Sequence, residues 1–285
     1  MSSLTIEPLF FAILGAITWS LNLIIYKALI SRGASPLGLM MISEIGAALI
    51  IGISLLRLSD ITLLSTQSSI LILTAGVLWA AGIWLEMKAL EQIDAGDLAI
   101  LGISKYLFIT LIGILVFNES LTTIRILGIL ILILGIFLPS DFNNLGFKRG
   151  FWYAFLGMIF QSLAYSIDKD RSQHTSVAII TFGGFFLPAI VSLGMCKQRM
   201  KTFVHELKVS KGSVALAPCL LALNWYLIIK SFSIGGELIA VSAIIESSAI
   251  LTCMLSIIFL NERDRVPIKL VGGALCTLGV ILICS

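Results

Sequence analysis

TLIGILVFNESLTTIRILGILILILG, residues Thr110–Gly135, returns later in the chain as TCMLSIIFLNERDRVPIKLVGGALCTLG, residues Thr252–Gly279. Each copy is an apolar run, then Asn-Glu (Asn118-Glu119 and Asn261-Glu262), a polar turn containing arginine, and a second apolar run. Each second run carries two glycines at the same spacing, Gly128/Gly135 and Gly272/Gly279, and the second turn is one residue longer. Apolar runs converge easily, because few residue types suit lipid. A repeated Asn-Glu at the same joint, with matching glycines behind it, does not. The chain therefore reads as a duplication, and a duplication sets the architecture.

Around these copies the composition is that of a membrane protein. The 285 residues are 58% hydrophobic and 12% charged, with mean hydropathy +1.06. A soluble domain is about half apolar and roughly a quarter charged, so this chain predicts a bilayer as its solvent. The net charge of +3 is small and scattered, which excludes a nucleic-acid footprint. Cysteines at 196, 219, 253, 276 and 284 lie mostly inside apolar runs without CxxC spacing. They read as small buried hydrophobes rather than disulfides or metal ligands. The N-terminal MSSLTIEPLFFAILG lacks the basic region of a signal peptide and reads as the start of a spanning helix.

A spanning helix needs about 20 apolar residues. Ten candidates fit: 8–30, 36–56, 69–90, 97–117, 123–138, 150–168, 176–195, 213–232, 238–260 and 267–284. Their uninterrupted length argues for helices over a barrel's short alternating strands. The basic stretch 196–212 reads as a loop or surface helix, and Ser140–Lys148 reads as a linker between two five-helix repeats, 8–138 and 150–284. An odd number of spans per repeat sends the second repeat into the membrane from the opposite side. The expected fold is an all-α membrane protein of ten transmembrane helices in two inverted repeats, with a site near the midplane. The beginnings match too: GAITWSLNLIIYK in segment 1 against GMIFQSLAYSIDK in segment 6 aligns Gly15 with Gly157, Trp19 with Gln161 and Lys27 with Lys169. Segments 3 and 8 end alike, in Trp84…Lys88 and Tyr226…Lys230.

In these features the chain resembles the EamA-type members of the drug/metabolite transporter superfamily. The features are Gly15, Trp19, Asn22 and Lys27, then Glu119 with Gly128 and Gly135, then Glu262 with Gly272 and Gly279. The resemblance covers nearly the whole chain and implies ten helices, two repeats, transport of a small solute and both termini inside the cell. One departure is visible: where the family often carries proline before the repeat glutamate, this chain has Tyr106 and Ala249. Basic residues point the other way on orientation. Loops after odd-numbered segments hold the excess, including Arg32, Lys88, Arg149 and five in 196–212, which by the positive-inside rule puts both termini outside.

Ionisable side chains within a bilayer are costly and usually face a cavity or a partner. Glu246 lies midway along segment 9, on a small polar face with Ser242, Ala249, Cys253 and Ser256. It reads as a cavity carboxylate for a cation or a coupling proton, or as a paired structural carboxyl. Lys105 lies equally deep in segment 4; it reads as an anion partner, or as a counter-ion of Glu246 across the cavity. Segment 1 presents Gly15, Trp19, Asn22 and Tyr26 at helical spacing, and segment 6 presents Gly157, Gln161, Tyr165 and Asp168. These faces read as pocket walls or as helix packing. Trp79, Trp84 and Glu86, and Asn224, Trp225 and Tyr226, are weaker candidates. Glu119 and Glu262 sit at turns and read as helix-capping residues. His174 and His205 lack metal-ligand spacing, and without a Walker A, HExxH or nucleophile motif neither an ATP-driven pump nor an enzyme is expected.

The expected function is secondary transport, without cofactor or metal, of a small amino-acid-like or amine-bearing metabolite. Glu246, Lys105, Trp19, Asn22, Gln161 and Tyr165 are the expected substrate-binding residues. The expected partners are that substrate, a coupling proton and membrane lipid, with no nucleic acid, in a multi-pass protein of the bacterial inner membrane. A nucleotide-sugar or lipid-linked carrier is the alternative within transport; a membrane sensor or intramembrane enzyme is the alternative outside it.

Overall fold

The structure, a computed structural model, describes residues 6–57, 59–60, 64–102, 104–117, 122–138, 149–196, 199–210, 215–261 and 266–284. Among these residues every regular element is a helix. In order they are α1 (Ile6–Ser31), α2 (Pro36–Ser54), α3 (Thr66–Leu90), α4 (Ala95–Gly102), α5 (Ser104–Phe117), α6 (Thr123–Phe137) and α7 (Arg149–Ser172). Then follow α8 (Val177–Met195), α9 (Arg199–Ser210), α10 (Leu216–Ser233), α11 (Leu238–Glu246), α12 (Ala249–Leu255) with a π-helical turn at Ser256–Leu260, and α13 (Val266–Cys284). Eight stretches are long and apolar enough to cross a bilayer, counting Asp97–Phe117 and Leu238–Leu260 as one stretch each. Between them lie α6, apolar but of 15 residues, and α7, whose last turns carry Asp168, Lys169, Asp170 and Arg171.

Local sequence sets the helix starts. Ser35, Ser65, Thr122 and Ser176 are in extended conformation and accept from backbone N–H groups in the first turns of α2, α3, α6 and α8. Pro36 follows its cap at a position where a missing N–H costs nothing. Thr122 is thus the side-chain cap of α6; Glu119 and Glu262, expected as caps, and the linker Ser140–Lys148 lie outside the described residues. Asn261 ends the π turn with φ 57°, a left-handed stop that asparagine tolerates.

The fold is apolar outside and polar within. Leu115, Leu134, Phe259, Ile281 and Ile53 point outward, whereas Ser20, Asn22, Glu44, Gln161, Asp168 and Ser242 are buried. Water would invert that distribution; lipid tolerates it. The principal packing pairs are α3 with α7, α1 with α10, α2 with α8, α3 with α8, α2 with α10, α5 with α11, and α6 with α13. Small residues set the closest approaches. A Cβ on Gly128 would stand 2.6 Å from the Gly279 carbonyl oxygen, and one on Gly279 the same distance from the Gly128 oxygen. Gly135 likewise faces the Gly272 oxygen at 2.8 Å. The four repeat glycines therefore close α6 against α13, running antiparallel. Gly82 and Gly157 do the same for α3 and α7, at 3.1 and 3.0 Å from each other's carbonyl oxygens.

Polar ties fasten the helices at depth and at the ends. Asn224 Nδ2 donates to the Gly15 carbonyl at 2.8 Å, and Ser231 Oγ to the Pro8 carbonyl at 2.8 Å. Lys27 Nζ donates to the Leu90 and Ile93 carbonyls at 3.1 and 2.7 Å, closing the C-terminal end of α3. The basic stretch 196–212 contains α9, docked by the buried Glu206, whose Oε1 accepts from Ser35 N at 3.0 Å and Ser35 Oγ at 2.9 Å.

Segment 9 departs from the continuous helix expected over 238–260. The α-helix stops after Glu246, turns through Ser247-Ser248 and resumes at Ala249. Ser248 N bonds the Ile245 carbonyl three residues back, the tight pattern of a local 3₁₀ turn. Ser247 Oγ is tied to the Ile244 carbonyl at 2.7 Å, and the Ser248 carbonyl accepts Ser20 Oγ of α1 at 3.2 Å. The Ser247 hydroxyl satisfies the freed Ile244 carbonyl, and the helix is interrupted where this chain has no proline. The face expected around Glu246 nevertheless stays buried, from Ser242 through Ala249 and Cys253 to Ser256.

Candidate functional site

The break in segment 9 puts Glu246 at the end of a half-helix in the protein's interior. Across from it Lys105 stands in the first turn of α5. Lys105 Nζ lies 2.7 Å from Glu246 Oε1, with side chains 9% and 7% exposed. Of the two readings for Lys105, the counter-ion of Glu246 describes what it touches. Its ammonium also stands 5.7 Å from the centre of the Tyr165 ring, within reach of a cation–π contact.

Beside this pair is a cavity of about 60 Å³. By the volume a single water needs, that is room for about four to six waters. Trp19, Lys105, Gln161 and Tyr165 line it. Glu246 lines a smaller adjoining space of about 10 Å³, shared with Trp19, Lys105 and Gln161. Asn22 is fully buried in α1 and is a wall of neither space. The cavity also takes in Trp79, Trp225, Tyr26 and Phe185, so six of its seventeen wall residues are aromatic. Trp79 and Trp225 meet edge-on at 4.6 Å between ring centres, and Tyr165 packs on Trp225 at 5.3 Å.

Four acidic side chains surround this aromatic box. Glu86 of α3 accepts from Gln161 Nε2 at 2.5 Å. Asp168 accepts from Trp79 Nε1 at 2.7 Å, which fixes the indole plane. Glu246 has Lys105. Glu44 of α2 lines the cavity, is 1% exposed, and its Oε2 has no hydrogen-bond partner among the described residues. Glu44 was missed from sequence although the signal was present: it is the one ionisable residue in Pro36–Ser54, and the depth criterion applied to Glu246 selects it too.

Two inter-helix ion pairs stand at opposite ends of the molecule. Lys269 Nζ, on α13, lies 3.0 Å from Asp94 and 3.1 Å from Asp97, beside the start of α4. Arg125, on α6, lies 3.9 Å from Glu237, beside the start of α11. The first is the tighter, at 3.0 Å against 3.9 Å, and its base is the more buried: the Lys269 side chain is 5% exposed and that of Arg125 14%, while Asp94 and Glu237 are alike at 36% and 37%.

Long apolar helices, an outward apolar surface and a buried, charged, aromatic cavity define a polytopic membrane protein built to handle a small solute. Residues 7–140 match the EamA-like transporter family. Over that stretch the chain is similar to membrane transporters of the drug/metabolite transporter superfamily, as its glycine and Asn-Glu pattern implied. No curated protein matches it. A solved crystal structure shares its fold over 99% of this chain and 96% of that chain, with TM-score 0.64 at 15% identity.

Proposed function

We propose that the protein is a secondary transporter of a small amine-bearing metabolite, working by alternating access in ten transmembrane helices arranged as two inverted repeats, 8–138 and 150–284. The observation that carries the substrate class is the buried cavity, where Glu44 and Glu86 stand among aromatic rings and the basic Lys105 is already engaged by Glu246. Such a site favours a positive group and repels the phosphates of a nucleotide sugar. Trp19, Gln161 and Tyr165 would contact the solute, Lys105 and Glu246 would hold the charge balance beside it, and Asn22 would support the wall from behind. A proton is the coupling ion that buried carboxylates can carry, and a bacterial inner membrane is the location that fits.

The packing supports the inverted repeat. Exchanging each helix for its counterpart one repeat on turns α3·α7 into α10·α1 and α3·α8 into α10·α2. The same exchange leaves α2·α8 and α6·α13 as they are and turns α5·α11 into α12·α4, which also pack together. The ion pairs follow the same rule: Arg125 and Lys269 each precede the first repeat glycine by three residues, and Asp94 and Glu237 each directly precede a half-helix. Two equivalent latches at opposite ends, each joining the two repeats, fit a machine that opens one end at a time.

The test is uptake and counterflow in proteoliposomes with amino acids, amines and nucleotide sugars, with and without a pH gradient. Movement of an amine-bearing solute, lost in Glu246→Gln or stripped of its proton dependence, is the expected result. Movement of nucleotide sugars alone would replace this reading with the carrier alternative. No movement under any gradient would remove transport of these classes altogether.

A further inference from the structure

We propose that Glu44 is the ammonium anchor of the cavity and that the solute is an organic monocation, an amine with an apolar or aromatic body and no carboxylate. This rests on the transport reading above and narrows its substrate.

An amino acid brings two charges and needs two anchors. The basic group that could hold its carboxylate is Lys105, and Lys105 is held by Glu246 at 2.7 Å with both side chains buried. Freeing it would leave Glu246 buried and unpaired. On the acidic side the position is the reverse. Glu86 is engaged by Gln161 and Asp168 by Trp79, but Glu44 lines the cavity and its buried Oε2 has no hydrogen-bond partner among the described residues. Buried polar atoms are nearly always satisfied, so an unsatisfied carboxylate oxygen at a cavity wall points to a donor that arrives with the solute. The rest of the wall agrees. Trp19, Tyr26, Trp79, Tyr165, Phe185 and Trp225 line the cavity, and aromatic rings beside a carboxylate are the chemistry that recognises ammonium groups. The same rings supply an apolar surface for the body of the amine. A free carboxylate on the solute would instead meet Glu44 and Glu86 across a space of about 60 Å³.

The experiment is binding by the purified full-length chain in detergent, read by quenching of tryptophan fluorescence, with three probes of one shape: phenylethylamine, phenylalanine and phenylpropionate. The expected result is that phenylethylamine binds at least tenfold more tightly than phenylalanine, and that phenylpropionate does not bind. Glu44→Gln should lower the phenylethylamine affinity by at least tenfold while Glu44→Asp keeps most of it. Should Glu44→Gln fail to fold, the order of the three probes on the native chain still decides. Phenylalanine binding as tightly as phenylethylamine, or Glu44→Gln binding the amine as the native chain does, overturns the inference. Counterflow of phenylalanine in proteoliposomes would then leave the transport reading standing. Absence of both binding and counterflow for all three probes overturns this inference and the amine-transport reading together.

Discussion

Removing one member of the Lys105–Glu246 pair should damage the protein more than removing both. The two atoms are 2.7 Å apart, and the side chains are 9% and 7% exposed, so neither charge can recover its hydration when the other is gone. Loss of one partner from such a pair costs about 3–5 kcal/mol, whereas replacing both with neutral side chains of similar volume is often near neutral. Lys105→Met therefore strands Glu246 at the end of α11, and Glu246→Gln strands Lys105 at the start of α5. The two losses should be unequal. After Glu246→Gln the ammonium keeps the Tyr165 ring at 5.7 Å, a contact worth about 0.5–2 kcal/mol, so Lys105→Met should be the worse variant. The double variant Lys105→Met/Glu246→Gln should regain most of the loss, giving a coupling of about 3 kcal/mol. Reversible unfolding in mixed micelles with rising dodecyl sulfate, followed by tryptophan fluorescence, measures all four chains. Additive losses, or single losses below about 1 kcal/mol, would mean that the pair does not hold these helices together.

Two further outcomes follow from the packing and the latches. In Gly128→Ala the new Cβ would stand 2.6 Å from the Gly279 oxygen where ordinary contact begins at 3.4 Å, so α6 and α13 must part by the difference, 0.8 Å. The expected loss is about 1–3 kcal/mol in the same unfolding assay; Leu130→Ala, at a position 52% exposed, should lose far less, and equal losses would refute the glycine contact. Lys269→Met and Arg125→Met should shift access to the cavity in opposite directions, read as labelling of single introduced cysteines by a membrane-impermeant thiol reagent from either side. The Lys269 latch, tighter and more buried, should give the larger shift, about tenfold for a bias of about 1.4 kcal/mol; two shifts in the same direction would refute the pairing of latches.

Much of this was legible in the chain because the bilayer leaves few choices. Length and hydropathy identify helices where every backbone group must be satisfied internally, and eight of the ten expected stretches are long and apolar enough to cross a bilayer, segment 9 with a break inside it. The repeat glycines were legible as a spacing, but not as the antiparallel contact they make, since spacing along one helix says nothing about which helix it meets. Glu246 and Lys105 were legible as isolated deep charges, yet their alignment put them at non-equivalent positions, Glu246 opposite Ile103 and Lys105 opposite Ser248. In the structure the α-helix stops at Glu246, with the Ser247 hydroxyl on the Ile244 carbonyl, and the carboxylate meets Lys105 across the interior. A Ser-Ser pair inside an apolar run carries no distinctive signal, because serine also sits unremarked on helices by bonding back to its own turn, as Ser242 and Ser256 do here.

The proposed repeat also bears on where function resides. Aligned through Gly15 with Gly157 and Trp84 with Tyr226, the cavity is walled by equivalent positions of both repeats: Trp19 with Gln161, Trp79 with Leu221, Ile83 with Trp225 and Glu86 with Ile228. Counted from the first residues of α2 and α8, Glu44 is the counterpart of Phe185, which also lines the cavity. The positions repeat and the chemistry does not. Where the two halves must move alike, at the glycine contact and the latches, the side chains have stayed alike in size or charge. Where they enclose the solute, each acidic residue faces an apolar or aromatic counterpart. A site built that way cannot bind its solute symmetrically. Its two wall carboxylates, Glu44 and Glu86, both come from the first repeat, while its rings come equally from both, which suits a molecule with one charged end and one apolar end.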